Sequence, residues 1–347
     1  MTDTAVELGL HTFGDVTVDA EGAPEHHALV HRHVLAEAEL ADALGLDFFG
    51  VGEHHRVDYA VSAPEVLLGA IAGRTRTIRL GTAVTVLSSD DPVRVYQRFA
   101  TLDAVSEGRA EIMLGRGSFT ESFPLFGYAM ADYEKLFDEK LELFDLVRRE
   151  RPVTWSGTTR APLEGKGVYP VTERGTIPTW VGVGGSPNSV VRAARYGFPV
   201  VFAVIGGSPA RFAPLAELYR EALAHYGHQP QPLAIHSPGY VSETDEQAAE
   251  EYWPHWSKHN AKIGRERGWG PATRAGYDLM SGPGGALFVG SPETVADKIV
   301  DTVRTLGLSR FDLKYSLGTL PHEALMRCIQ LYGERVAPLV REKLADA

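Results

Sequence analysis

Four residues in a row, Glu53-His54-His55-Arg56, follow the apolar run Phe48 to Gly52 without a break. A carboxylate, two imidazoles and a guanidinium could move protons, hold an anion or ligate a metal. The run before them is short, aromatic and β-branched, and a helical pattern precedes it. It reads as a buried parallel strand. Strand carboxyl ends are where α/β folds gather their chemistry, so the tetrad is expected on a βα loop facing a shared crevice or barrel mouth. Successive side chains of an extended segment point to opposite sides, so His54 and His55 cannot both aim at one centre. One serves structure, and from these residues alone catalysis and two half-buried structural histidines stay equally open. A metal would need more ligands than Glu53 and Asp58 supply nearby, so no metal site is expected.

Three other strand ends carry usable chemistry. In Gly115-Arg116-Gly117-Ser118-Phe119 an arginine between glycines lets its fork and nearby backbone N–H groups meet a phosphate, against the alternative of a solvent-facing arginine in a turn. Gly182 to Ser189 contains Gly184, Gly185, Ser186 and Asn188, a glycine-rich turn into a helix, where Ser186 or Asn188 can cap and free N–H groups attract an anion. Alone that turn is a weak signal; with Arg116 it makes a phosphate cradle. Gly81-Thr82-Ala83-Val84-Thr85-Val86 offers small residues against which a flat ring could lie, or simply a tight interior layer. A mononucleotide phosphate carrying a planar ring would join all four segments, and FMN fits that description. A sugar phosphate would satisfy the anion site without needing the flat wall.

The elements that must position these residues alternate between short β-like runs and amphipathic helical patterns. Strands are expected at 6–10, 47–51, 78–87, 110–114, 179–183, 200–205, 233–236 and 311–315. Helices are expected at 31–44, 64–72, 92–105, 133–149, 188–196, 210–226 and 292–306, with closing helices over 322–340. Two excursions interrupt the alternation. One, at about 150–175, is rich in Thr, Gly and Pro and reads as a hairpin; the other, at about 240–288, reads as a helical insertion with Trp253, Trp256 and Trp269. Eight strands with right-handed crossovers close naturally into a (β/α)8 TIM barrel, one domain over residues 1–347. An open doubly wound sheet is the runner-up, but Leu8 to Gly14 lacks the spacing of a dinucleotide turn.

Composition narrows the partners. A net charge of −11 argues against nucleic acid. The longest apolar runs are too short to span a bilayer, and the N-terminus has no secretory signal pattern. The single cysteine, Cys328, allows no intrachain disulfide and fits a cytoplasmic location.

In this order and spacing the stretches resemble the bacterial luciferase-like family of flavin-dependent monooxygenases, which includes deazaflavin-dependent relatives. The resemblance runs from Leu8 to about Leu339. It rests on Gly45-Leu46-Asp47, Glu53-His54-His55, Gly81-Thr82-Ala83-Val84, Pro92-Val93-Arg94, Leu102-Asp103, Ser106-Glu107-Gly108-Arg109, Gly115-Arg116-Gly117 and Gly184-Gly185-Ser186-Pro187. It implies that Arg116 and the Gly185 to Ser189 turn, Ser186 and Ser189 included, hold the FMN phosphate. Ala83 and Val84 would lie against the isoalloxazine across a non-proline cis peptide, with Ser118 and Phe119 flanking the ribityl chain and ring. Glu53 would contact the flavin side of the site. His54 matches the family's catalytic histidine, a proton donor or acceptor suited by a neutral-range pKa. Two departures stand out: Gly115 occupies the place of luciferase's cysteine, and Gly184 that of an acidic residue, so light emission is not expected.

The resemblance therefore implies reduced FMN and O₂ acting on a small organic substrate, a separate flavin reductase and a homodimer through 64–72 and 92–105. Phe13, Phe123, Phe126, Trp253 and Trp256 are the expected substrate wall, with core or interface packing as the equal alternative. A deazaflavin-dependent hydride-transfer enzyme on the same barrel and a flavin-binding protein without turnover are the competing readings.

Overall fold

The computed structural model describes residues 6–19 and 21–345. Eight parallel strands close on themselves: β1 Glu7–Thr12, β2 Phe48–Val51, β3 Arg79–Thr82, β4 Ala110–Gly115, β5 Thr179–Val183, β6 Val200–Ala203, β7 Leu233–Val241 and β8 Arg310–Lys314. Each pairs with the next, and β8 returns to β1 with Leu8 opposite Phe311. The crossover helices are α1 His27–Ala43, α2 Pro64–Ala72, α3 Pro92–Val105, α4 Tyr133–Val147, α5 Pro187–Arg195 and α6 Ala213–His225. They are followed by α7 Asp245–Arg267 and α8 Arg274–Ser281 of the insertion, then α9 Pro292–Leu306, α10 His322–Leu331 and α11 Ala337–Ala345. The architecture is the expected (β/α)8 barrel.

The alternation within the strands explains its two cores. Leu8, Leu10, Phe49, Val51, Leu80, Ile112, Leu114, Phe311 and Leu313 belong to the large cluster packed under the helices. The intervening residues point inward. There a small apolar cluster is formed by Met113, Trp180, Val201 and Ala234, with Val84 beside it. Charged residues share that interior. Arg310, fully buried, lies between the rings of Phe48 and Trp180 at 4.3 and 4.2 Å. It donates to Glu111 at 2.8 Å, and Glu111 also accepts from Trp180 Nε1 and from Arg79. This ion layer fills the barrel where branched aliphatics are usual.

Three elements differ from expectation. The strand expected over 78–87 is split: β3 ends at Thr82, the cis peptide Ala83–Val84 follows, Thr85–Val86 pairs with Leu114 and Gly115, and Leu87–Ser89 is a turn. β7 runs five residues past His236, because Gly239 to Val241 pairs with an additional strand, Phe288–Gly290. Pro238 and Gly239 disguise that extension. Yet Gly239 is required there, since a Cβ would lie 2.4 Å from the Phe288 carbonyl oxygen. Helix α1 starts four residues early because the His26 side chain, an unusual cap, accepts from Ala28 N–H. The excursion at 150–175 does hold a hairpin, Val153–Trp155 against Leu163–Lys166. No helix among the described residues is long and apolar enough to cross a membrane.

Candidate active site

A cavity of about 460 Å³ opens at the carboxyl ends of the strands. Its floor is made by small residues. Ala83, Val84, Gly115, Gly182 and Gly184 all line it. Val84 is seated between two glycines: a Cβ on Gly115 would lie 2.5 Å from Val84 Cγ2, and one on Gly182 would lie 3.0 Å from Val84 Cγ1. The glycines thus let a side chain lie flat where a bulkier strand would fill the mouth, leaving room for a planar ring.

Glu53, His54 and His55 all line the cavity, but the chain divides their work. The Glu53 carboxylate accepts from Val86 N–H at 2.8 Å through one oxygen and meets His55 Nε2 at 2.8 Å through the other. It ties the β2 loop to the floor and orients His55. His54 stands apart, against the rings of Tyr59 at 4.4 Å, Phe13 at 4.5 Å and Phe119 at 5.5 Å. Its Nδ1 is buried without a hydrogen-bond partner. Burial pushes its pKa down to about 4; Lys314 adds to this and Asp15 opposes it. The expectation of a neutral-range value is therefore corrected: enclosed by three rings, His54 is uncharged at neutral pH. What remains open of it faces the cavity.

Arg116 and Ser189, distant in sequence, meet: Arg116 Nη2 donates to Ser189 Oγ at 3.1 Å. Arg116 also pairs with Glu134, which accepts from Arg192 at 2.7 Å, and it lies 5.1 Å from the centre of the Tyr133 ring. Ser186 is the N-cap of α5, but its side chain caps nothing. Pro187 has no N–H, and the Ser189 and Val190 N–H groups donate to the Ser186 carbonyl, which leaves the Asn188 N–H of the first turn available to an anion, next to a guanidinium. Gly184 and Arg116 line the cavity, as do Ser118 and Phe119; Gly185, Ser186 and Ser189, expected at the phosphate, do not line it.

The insertion covers the mouth. On α7, Tyr252, Trp256, His259, Asn260, Ile263 and Arg267 recur at helical spacing and all face the cavity. The Tyr252 hydroxyl is buried without a partner, and burial pushes His259 down to about 4. Arg56 latches the mouth. It donates to Asp58 at 3.2 Å, to Glu266 on α7 at 2.8 Å and to Glu121 beyond β4. Of the aromatics expected in the wall, Phe13 and Trp256 line the cavity; Phe123 is buried elsewhere, Phe126 is exposed, and Trp253 packs behind against Trp256 and Tyr277.

The sequence reading missed a second set of polar groups. Lys314, inward on β8, lines the cavity and donates to both oxygens of Asp15, at 2.9 and 2.7 Å. Burial would raise Asp15, but Lys314, Ser316 and the Gly318 N–H outweigh it and hold the carboxyl at about 2. His236 on β7 also lines the cavity, parallel to the Phe13 ring at 5.7 Å.

Residues 11–310 match the family described as luciferase-like monooxygenase. The chain is 28% identical over 323 residues to 4-hydroxyprotoasukamycin monooxygenase of Streptomyces nodosus subsp. asukaensis, covering 87% of this chain and 84% of that one. Among solved structures it is similar to the monooxygenase RslO1 of Streptomyces bottropensis, with a TM-score of 0.84, 24% identity and coverage of 96% and 99% of the two chains. The FMN complex of the oxygenating constituent of 3,6-diketocamphane monooxygenase from Pseudomonas putida gives 0.75 at 20% identity, covering 96% and 99%. An F420-dependent secondary alcohol dehydrogenase gives 0.74 at 16%, covering 97% and 99%. With most of its length inside that family match, the chain belongs to the luciferase-like monooxygenases.

Proposed function

We propose that the protein is an FMN-dependent monooxygenase that uses reduced flavin and O₂ to oxidise a small organic substrate. The observation that carries this reading is the pairing of Arg116 with Ser189 at an uncapped helix N-terminus, beside a floor of small residues. A phosphate and a flat ring, at the two ends of one molecule, match that pair of features. Bound reduced flavin would supply the electrons that activate O₂.

The chain's residues do the rest. Arg116, Ser189 and the first turn of α5 hold the phosphate. Ala83 and Val84 support the ring, and Ser118 and Phe119 flank it. His54, uncharged, exchanges a proton at the reacting centre from the side of its ring that lines the cavity. Rings from the barrel and α7 exclude water. Phe13, Trp256 and Ile263 give the upper wall apolar surface beside His259, Asn260 and Arg267, which suits a substrate with both apolar and polar parts. Exposed Val66 on α2 and Val105 at the end of α3 support a homodimer through that face. A separate reductase would deliver the reduced flavin.

Deazaflavin is the competing cofactor, because the same fold serves an F420-dependent dehydrogenase. Anaerobic titration with reduced FMN and reduced deazaflavin in parallel, followed by an oxygen pulse, separates them. FMN binding with rapid oxygen uptake supports the proposal. Binding of deazaflavin alone, without oxygen uptake, replaces it with hydride transfer.

A further inference from the structure

Inside the barrel, three residues form a chain that ends in the cavity. His11 Nδ1 lies 2.5 Å from His236 Nδ1, and His11 Nε2 lies 3.3 Å from Asp312 Oδ2. His11 and Asp312 are fully buried, whereas His236 is 8% exposed and lines the cavity. The strands set this up directly. Asp312 on β8 is in register with Gly9 on one side and His236 on the other, and His11 is in register with Gly50.

Both glycines are spaces cut for the chain. A Cβ on Gly9 would lie 2.1 Å from Asp312 Oδ1, and one on Gly50 would lie 2.6 Å from His11 Cδ2. Two strands give up side chains so that an acid and an imidazole can stand at these positions.

The groups around the pair favour one set of tautomers. Neither Asp312 oxygen completes a hydrogen bond, but His11 and Arg310, whose Nε lies 3.4 Å away, outweigh burial and keep its carboxyl below the usual range. An ionised carboxylate 3.3 Å from His11 Nε2 favours a proton there over a lone pair. A His11 with that single proton presents a lone pair at Nδ1. The facing His236 nitrogen must donate, which places the His236 proton on Nδ1 and leaves Nε2 bare.

We propose that His236 is a second proton acceptor of the cavity, with His11 and Asp312 as positioning residues that hold its Nε2 lone pair free for a ligand. In the step this allows, an X–H bond of the ligand breaks, its electron pair stays on X, and the proton forms the Nε2–H bond. The imidazolium keeps its Nδ1–H on His11, and Asp312 balances the charge. Burial, the largest influence, pushes His236 well below the ordinary histidine range; His11, Lys314 and His54 also oppose its protonation and Asp312 favours it. This assignment rests on the cavity being the reaction chamber, whichever cofactor occupies it.

Long-range ¹H–¹⁵N NMR of the histidine-labelled, cofactor-free chain tests it, so the result is independent of the flavin titration. His236→Gln assigns the resonance by its loss. The expected wild-type result is a proton on His236 Nδ1 and none on Nε2. Asp312→Asn, which can donate to His11, should shift His236 toward the Nε2–H form; if that variant fails to fold, His11→Phe serves instead. A wild-type His236 protonated at Nε2 overturns the proposal, and so does a folded Asp312→Asn or His11→Phe chain whose His236 keeps the wild-type tautomer.

Discussion

Arg116 and Ser189 are joined by a 3.1 Å hydrogen bond that bridges the loop after β4 and the first turn of α5. In the proposed complex both groups turn to the phosphate. Arg116→Ala should therefore weaken FMN binding by about 10- to 100-fold, the worth of a charge-assisted contact. Riboflavin, which lacks the phosphate, should bind the variant and the wild type alike. Flavin fluorescence titration measures both.

His54→Ala removes the ring that stands against Phe13 and Tyr59 but leaves the anion cradle intact. FMN affinity should change little, while turnover of a coupled substrate should drop by about 10²- to 10⁴-fold. Unchanged turnover would remove His54 from the chemistry.

The floor makes a steric prediction. Gly115→Ala places a methyl 2.5 Å from Val84 Cγ2 in the wild-type geometry, so Val84 must move into the cavity. Flavin affinity should fall, and adding Val84→Ala should restore part of it. Titration of the single and double variants in parallel checks this coupling.

Acid should destabilise the chain in a defined window. His54 and His259 are each pushed from 6.5 to about 4 in the fold. The unfolded chain binds those protons first, so the stability they contribute is complete above pH 6.5 and is lost as pH falls toward 4. After screening by cavity water this is on the order of 2 kcal/mol for each residue. Asp15, held at about 2 instead of 3.8, extends the loss below pH 4. Urea unfolding between pH 7 and 4 should show the decline, with a shallower slope in His259→Phe.

Arg310→Met tests the interior ion layer. It leaves Glu111 and Asp312 without the guanidinium that both face. Removing one partner from a buried pair costs about 3–5 kcal/mol. A urea midpoint that does not move would show that the layer is dispensable for stability.

The order of elements was legible because its punctuation is local. Pro64, Pro92 and Pro292 open α2, α3 and α9 at the expected residues. Glu53, His54, Arg116 and Gly184 were legible as strand ends, and the fold brings them to one cavity. Apart from Trp256, the inner face of α7 was not legible, nor was the His236 chain, since both depend on which residues face each other across the barrel. One signal was available. Arg310-Phe311-Asp312-Leu313-Lys314 alternates charge with hydrocarbon, whereas a strand covered on both faces should be apolar throughout. Three charges at every second position mark a barrel whose inside is polar.

That ion layer has a kinetic meaning. With Arg310 wedged between Phe48 and Trp180, the lower end of the barrel is plugged, and traffic is confined to the mouth beneath α7. In the proposed complex the flavin lies on the strand-end floor, beneath the substrate. Binding should be compulsorily ordered, with flavin before substrate, and spent flavin should be retained until the product above it has left.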